Sequence, residues 1–162
     1  MDRAARAIEQ WKRERPDLDV SPMGVIGRLN EASSLIARDR LAPVFARFGL
    51  QSGEFDVLAT LRRSGAPYAL TPTELYEATM VTSGAMTARL DRLEKSGLIR
   101  RAPHPSDRRG VIVQLTTKGS ELVDEALAAH VANEHDILAG LTSDEREMLA
   151  RLLARLIASL SL

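Results

Sequence analysis

The chain has 162 residues, with 22 basic and 22 acidic side chains that cancel to a formal charge of zero, and no cysteine. That length suits one domain of ordinary size, and the missing cysteine excludes a disulfide framework, thiol catalysis and a cysteine-rich zinc site. No apolar run approaches a membrane span and the first residues lack a signal-peptide core, so the expectation is a cytoplasmic protein with no membrane partner.

Residues 3–15 form a short polar helix candidate carrying Ala4, Ile8 and Trp11. Arg15-Pro16 should end it, because a residue before proline is pushed out of the helical region. Residues 16–20 read as a linker. Ser21-Pro22 restarts a helix, with serine as cap and proline in the first turn. Ile26, Leu29, Ala32, Leu35 and Ile36, then Leu41, Val44, Phe45 and Phe48, recur at helical spacing. Pro43 should kink or interrupt this long helix, and Gly49 should close it. Ser52 opens the next, with Phe55, Leu58, Ala59 and Leu61 buried and Ser64-Gly65 as its stop. Residues 65–69 form a loop.

The stretch 71–115 is the one the rest is built to carry. Thr71 caps a helix, Pro72 suits its first turn and Glu74 completes a capping box, with Leu75 facing inward and the end near Ala78. After a turn through Thr79, Met80 and Val81, Thr82 or Ser83 caps a longer helix that stops at Ser96-Gly97. Met86, Leu90 and Leu93 should face the core, leaving Ser83, Thr87, Asp91, Lys95, Arg89 and Arg92 on other faces. Residues 98–102 and 111–115 have the β-branched, half-alternating character of a hairpin, whose tip holds Asp107, Arg108 and Arg109. A tight helix pair with polar residues near the second N-terminus, followed by a basic hairpin, is a winged helix-turn-helix, mostly α with a small β wing.

Charge supports that reading. Seven basic residues (89, 92, 95, 100, 101, 108 and 109) face three acidic ones (91, 94 and 107) in this region. Phosphate attraction acts locally, so the regional excess outweighs the neutral total. The acids gather instead along 121–147, where Arg146 stands as the one arginine or lysine. Thr116 or Thr117 opens a long helix to about Leu138, with Leu122, Ala126, Leu127, Val131 and Ile137 as its inner side. Thr142 and Glu145 form a second capping box. The last helix carries Met148, Leu149, Leu152, Leu153, Leu156, Ile157 and Leu160, more apolar surface than a small winged domain absorbs, which favours a dimer interface over its own core.

Other signals are weak. His130 and His135 lie five apart, off the same-face interval for metal ligands, and read as surface residues. His104, between Pro103 and Pro105, either touches a phosphate or shapes the wing loop, and the loop role is favoured. No base is placed for Ser83, and Gly24 and Gly27 make no phosphate loop. No catalytic residue, metal or cofactor is expected, and an enzyme reading is poor.

The run LDRLEKSGLIRR, the D-x-R tip at Asp107–Arg109 and the following LTTKG resemble the MarR-type transcriptional regulators along nearly the whole chain. The resemblance implies one MarR-type domain over 1–162. In it, 1–20 form an extra N-terminal helix and linker, 21–48 and 116–162 are dimerisation helices, and 52–115 are the DNA-binding winged helix-turn-helix. It also implies a homodimer on a palindromic double-stranded operator, with helix 82–96 in the major groove and Arg109, oriented by Asp107, in the minor groove. Thr82, Ser83, Thr87, Arg89, Arg92, Asp107, Arg108 and Arg109 are then the DNA-binding set.

A further likeness is to the urate-responsive MarR subgroup, which also carries a tryptophan on an added N-terminal helix. It implies an effector site of Trp11 as ligand contact, Arg89 as anion partner, Asp56 as the charge beside the ligand and Arg101 as the salt-bridge mate of Asp56. The expected function is a repressor released by urate or a similar planar anion. The alternatives are another aromatic acid or xenobiotic as effector, with Trp11 as packing, or a winged-helix protein–protein module with little DNA role.

Overall fold

Each helix begins where a side chain takes up the backbone donors that the first turn leaves free. In the computed structural model, which describes residues 2–79, 83–106 and 110–160 (side chains of 83–85 excepted), Asp2 caps α1 (Arg3–Glu14) through a 2.7 Å bond from the Ala5 amide. Thr71 and Glu74 form the expected box at α5 (Pro72–Ala78). Thr116 caps α7 (Thr117–Ile137), and Thr142 with Glu145 opens α8 (Ser143–Leu160). Both box glutamates titrate below their ordinary value, chiefly because each carboxylate accepts from the cap residue's backbone N–H.

The chain divides into two compact units, Met1–Pro43 and Val44–Leu162. In the first, α1 packs on α2 (Ser21–Leu35). Asp2 also holds Arg28 of α2 at 2.9 Å, and the Ala4 side chain lies against Gly27. Ser21 is the first helical residue rather than the cap. Its hydroxyl and amide are drawn back to Asp19, leaving Val20 at the cap position without a side-chain bond. The long helix expected to reach Phe48 is broken up: a π-helical turn (Ile36–Leu41) precedes α3 (Ala42–Ala46), next to the proline that cannot donate to the ladder. Gly49 closes that run with φ +69°.

The second unit holds the winged domain. α4 (Ser52–Arg63) buries Phe55, Val57, Leu58 and Leu61, while Ala59 stays half-buried. α6 (Ser83–Lys95) contributes Met86, Leu90 and Leu93, and Leu75 of α5 meets this core. Strands β1 (Ala69–Leu70), β2 (Ile99–Pro103) and β3 (Val111–Leu115) form an antiparallel sheet in the order β1-β3-β2. Ile99 lies opposite Leu115, and Leu70 opposite Val113. The strand β1 falls in the expected 65–69 loop and its flank. Two residues are too short to show alternation, so the pairing to β3 decides it.

Of the row expected to face inward on α7, Ala126 is buried and Leu122 and Ile137 are half-buried, while the rest differs. Gly119, Val123 and Ala126 are buried, while Leu127 and Val131 are exposed. At the helix start, Gly119 lies so close to the Leu98 carbonyl that a Cβ there would overlap the Leu98 oxygen. The LTTKG motif thus has a geometric basis. The Thr116 hydroxyl donates to the Gly97 carbonyl at 2.8 Å, the Thr116 amide donates to Leu98, and Lys118 reaches the Ser96 carbonyl at 2.9 Å. No residue of α8 is buried, which removes the reading that placed it in its own subunit's core.

Candidate nucleic-acid interface and effector site

Both α5 and α6 pack on α4, and Gly97 (φ +71°) turns the chain from α6 into β2. Thr87, Asp91 and Lys95 stand exposed at intervals of four along α6 and so share one face of the helix. Thr82, Asp107, Arg108 and Arg109 lie outside the described residues, as does the Ser83 side chain.

Of the seven cations counted from sequence, Arg92, Arg100 and Arg101 are engaged within the unit. Arg92 donates to Glu54 at 2.6 Å and to Gln51 at 3.2 Å, tying α6 to the start of α4. Glu54 is only 5% exposed and also accepts from the Gln51 amide at 2.8 Å, so this carboxylate is both helix cap and ion-pair partner. Arg100 donates across the sheet to the Gln114 side chain at 2.8 Å. Arg62 pairs with Asp124 of α7 and lies over the Tyr68 ring. Sequence reasoning missed Glu54, although Gln51 and Glu54 stand at capping-box spacing just before an apolar run.

The effector candidates are placed unevenly. Arg101 is not the salt-bridge mate of Asp56. Its guanidinium bonds Asp91 at 2.7 Å and Glu94 at 2.5 Å, both on α6, and these bonds, Asp91 first, raise its pKa above the ordinary arginine value. The physical reason is proximity: two carboxylates one helical turn apart lie beside the strand that follows α6 directly, whereas Asp56 is on another helix. Among the described residues Asp56 makes no ion pair; it is half-buried on the wall of a cavity between α4 and α7 that also takes in Phe55, His130, Leu127 and Val131. Arg89 is half-buried too. Its guanidinium lies against the α4 backbone at Gly53, so closely that a Cβ there would overlap it, and its Nη1 is buried without a partner among the described residues. Trp11, on α1 in the first unit, is 46% exposed.

Two histidine readings are settled by contacts. His130 is not a plain surface residue: its ring tilts against Phe45 and Phe55, which stack 4.4 Å apart, and Nε2 meets Glu134 at 3.1 Å. His104 supports the loop: its amide donates to the Gly110 carbonyl and its Nδ1 lies 3.3 Å from the Ser106 amide. Among the described residues no acidic or histidine cluster is arranged to hold a metal, and no helix is long and apolar enough to cross a membrane.

The model of the MarR family matches residues 48–110, the segment from the end of α3 to the wing. The chain is 49% identical over 148 residues to the HTH-type transcriptional regulator PecS of Dickeya dadantii, covering 91% of this chain and 89% of the relative. The chain belongs to the MarR family. It is 30% identical to the multiple antibiotic resistance protein MarR of Escherichia coli over 86% of this chain and 93% of that one. The crystal structure of a mutant E. coli MarR complexed with operator DNA superposes with a TM-score of 0.72 at 28% identity, covering 90% of this chain and 96% of that one. AbsC of Streptomyces coelicolor, also a MarR-family regulator, shares the fold with a TM-score of 0.79 at 23% identity, over 89% of this chain and 97% of that one. This MarR-family chain is therefore a winged-helix, DNA-binding transcriptional regulator, and its relatives and fold are those of regulators rather than enzymes.

Proposed function

We propose that this protein is a homodimeric repressor that leaves a palindromic operator when urate, or a similar small planar anion, binds at Arg89. The observation that carries the effector reading is the Arg89 guanidinium, half-buried against Gly53 with Nη1 unpartnered among the described residues. A desolvated cationic donor without a partner is costly, and an anion offsets that cost. Asp56, three residues after Gly53, lies on the same face of α4 and has no ion-pair partner among the described residues. A flat acid with anionic oxygens on one edge and N–H groups on another matches that pair, arginine to the first and aspartate to the second. Trp11 enters this reading through the resemblance of its helix to that of the urate-responsive subgroup.

On the DNA side, Thr82, Ser83 and Thr87 read the major groove, Arg92 and Arg89 support that helix, and Arg109 with Asp107 and Arg108 enters the minor groove. Segments 21–48 and 116–162 pair two copies, which sets the recognition helices roughly 34 Å apart, one DNA turn. Binding of the effector weakens DNA affinity only by its preference for the shape that fits DNA less well, and a tenfold release needs about 1.4 kcal/mol of such coupling.

Urate added to the protein on its own promoter DNA is expected to release the duplex and quench Trp11 emission, and Arg89→Ala to abolish the release. No change at millimolar urate sinks the urate reading. Gly53→Ala supplies an independent check. Its Cβ would displace the Arg89 side chain rather than backbone. The expected outcome is a melting temperature near wild type with the urate response lost; a retained response contradicts the placement of the effector on that face.

A further inference from the structure

We infer that Arg101 is a positioning residue for DNA reading: with Asp91 and Glu94 it locks the wing strand β2 to α6, so that helix and wing meet a duplex in one fixed mutual geometry. The inference rests on the proposed placement of α6 and the hairpin against DNA.

Between α6 and β2 lie Ser96, Gly97 and Leu98, with glycine in the left-handed region. Leu98 and Ile99 are buried and fix the base of the wing. So short a glycine turn sets where β2 starts and leaves its tilt to contacts farther out. Arg101 makes them. Its backbone amide donates to Glu94 Oε1 at 3.0 Å, and its guanidinium reaches Glu94 Oε2 and Asp91 Oδ1. Three bonds from one residue to two carboxylates a helical turn apart define both the height and the angle of the strand. A planar fork can bridge them; an ammonium acts as a single point charge and cannot do so in the same way.

Stability is a weak reason for this cluster, because Asp91 is 60% exposed and exposed ion pairs contribute little. Phosphate binding is a weak reason too, since the guanidinium is already engaged and both carboxylates repel a phosphate backbone. Geometry remains. The result is a test in which electrostatics and positioning predict opposite signs.

The full-length protein first selects a duplex from random sequence. Affinity for that duplex and for a scrambled one of equal composition is then measured across salt concentrations. Asp91→Ala/Glu94→Ala removes two negative charges from the DNA-facing helix, so affinity for the scrambled duplex should hold or rise. The preference for the selected duplex should nevertheless fall at least tenfold, with the melting temperature near wild type. Arg101→Lys, which keeps the charge, should lose preference as well, and Arg101→Gln should leave the salt slope unchanged.

A preference within twofold of wild type in the double variant overturns the inference. So does an equal loss on both duplexes, the mark of a merely structural role. A salt slope shallower by about 0.9 in Arg101→Gln, the signature of one lost phosphate contact, overturns it too. Failure of the wild-type chain to select any duplex strikes instead at the placement on DNA, and so is told apart.

Discussion

Replacing Gly119 by alanine is expected to lower the melting temperature by roughly 10 °C, from a loss of about 3 kcal/mol at the upper end of overpacking costs. The new Cβ would overlap the Leu98 carbonyl oxygen and lie 2.9 Å from its carbon, with a Leu115 methyl at 3.3 Å. A flexible side chain could swing aside, but Leu98 is main chain. Its amide bonds the Leu93 carbonyl, and its own carbonyl accepts from Thr116. Moving it disturbs the end of α6, the start of β2 and the cap of α7 together. Gly140→Ala is the control, for nothing lies within 4 Å of the Cβ position there. Thermal melts of the two variants decide the matter, and a Gly119→Ala protein as stable as the control contradicts the close approach.

The second large effect concerns the proposed dimer. Met148, Leu149 and Leu152 of α8 are between 41% and 51% exposed. Apolar surface of this extent on one helix is the mark of an interaction site, and a second copy is the occupant proposed above. Leu149→Asp/Leu152→Asp would bury unpaired carboxylates in that interface. The expected cost is at least about 4 kcal/mol, roughly a thousandfold in the dimer Kd. Light scattering at micromolar concentration should then find a folded monomer in place of a dimer, with operator affinity lost alongside. A wild-type chain that is already a stable monomer sinks the proposal.

What could be read from the sequence was what rests on local chemistry. The boxes at Thr71 and Thr142, the glycine stops at Gly49, Gly65 and Gly97, and the core row Met86, Leu90 and Leu93 each depend on neighbours within a turn or two, and each is in place. Misreadings came where a distant partner decides. Leu127 and Val131 share the helical spacing of Val123, yet they stand exposed on the wall of the cavity between α4 and α7, a gap that spacing alone does not announce. Ser21 lost the cap position to a bond with Asp19 that no propensity announces. For the candidate site, the basic excess of 89–109 was visible, while its engagement was not. Arg92 is held by Glu54, Arg100 by Gln114, and Arg101 by Asp91 and Glu94, so counting charges overstates how many face outward. Arg89 was legible as a candidate, but its partnerless Nη1 required the neighbouring backbone to be known.

The single tryptophan lies in the unit Met1–Pro43, while the phenylalanines at 45, 48 and 55 all lie in Val44–Leu162. Indole emission therefore reports on the melting of α1 and α2, the unit that carries it. Far-ultraviolet dichroism sums the helices of both units. Recording both signals on one heating ramp turns this accident of composition into a gauge of cooperativity: coincident curves mean that the two units unfold as one body, and separated curves mean that they do not.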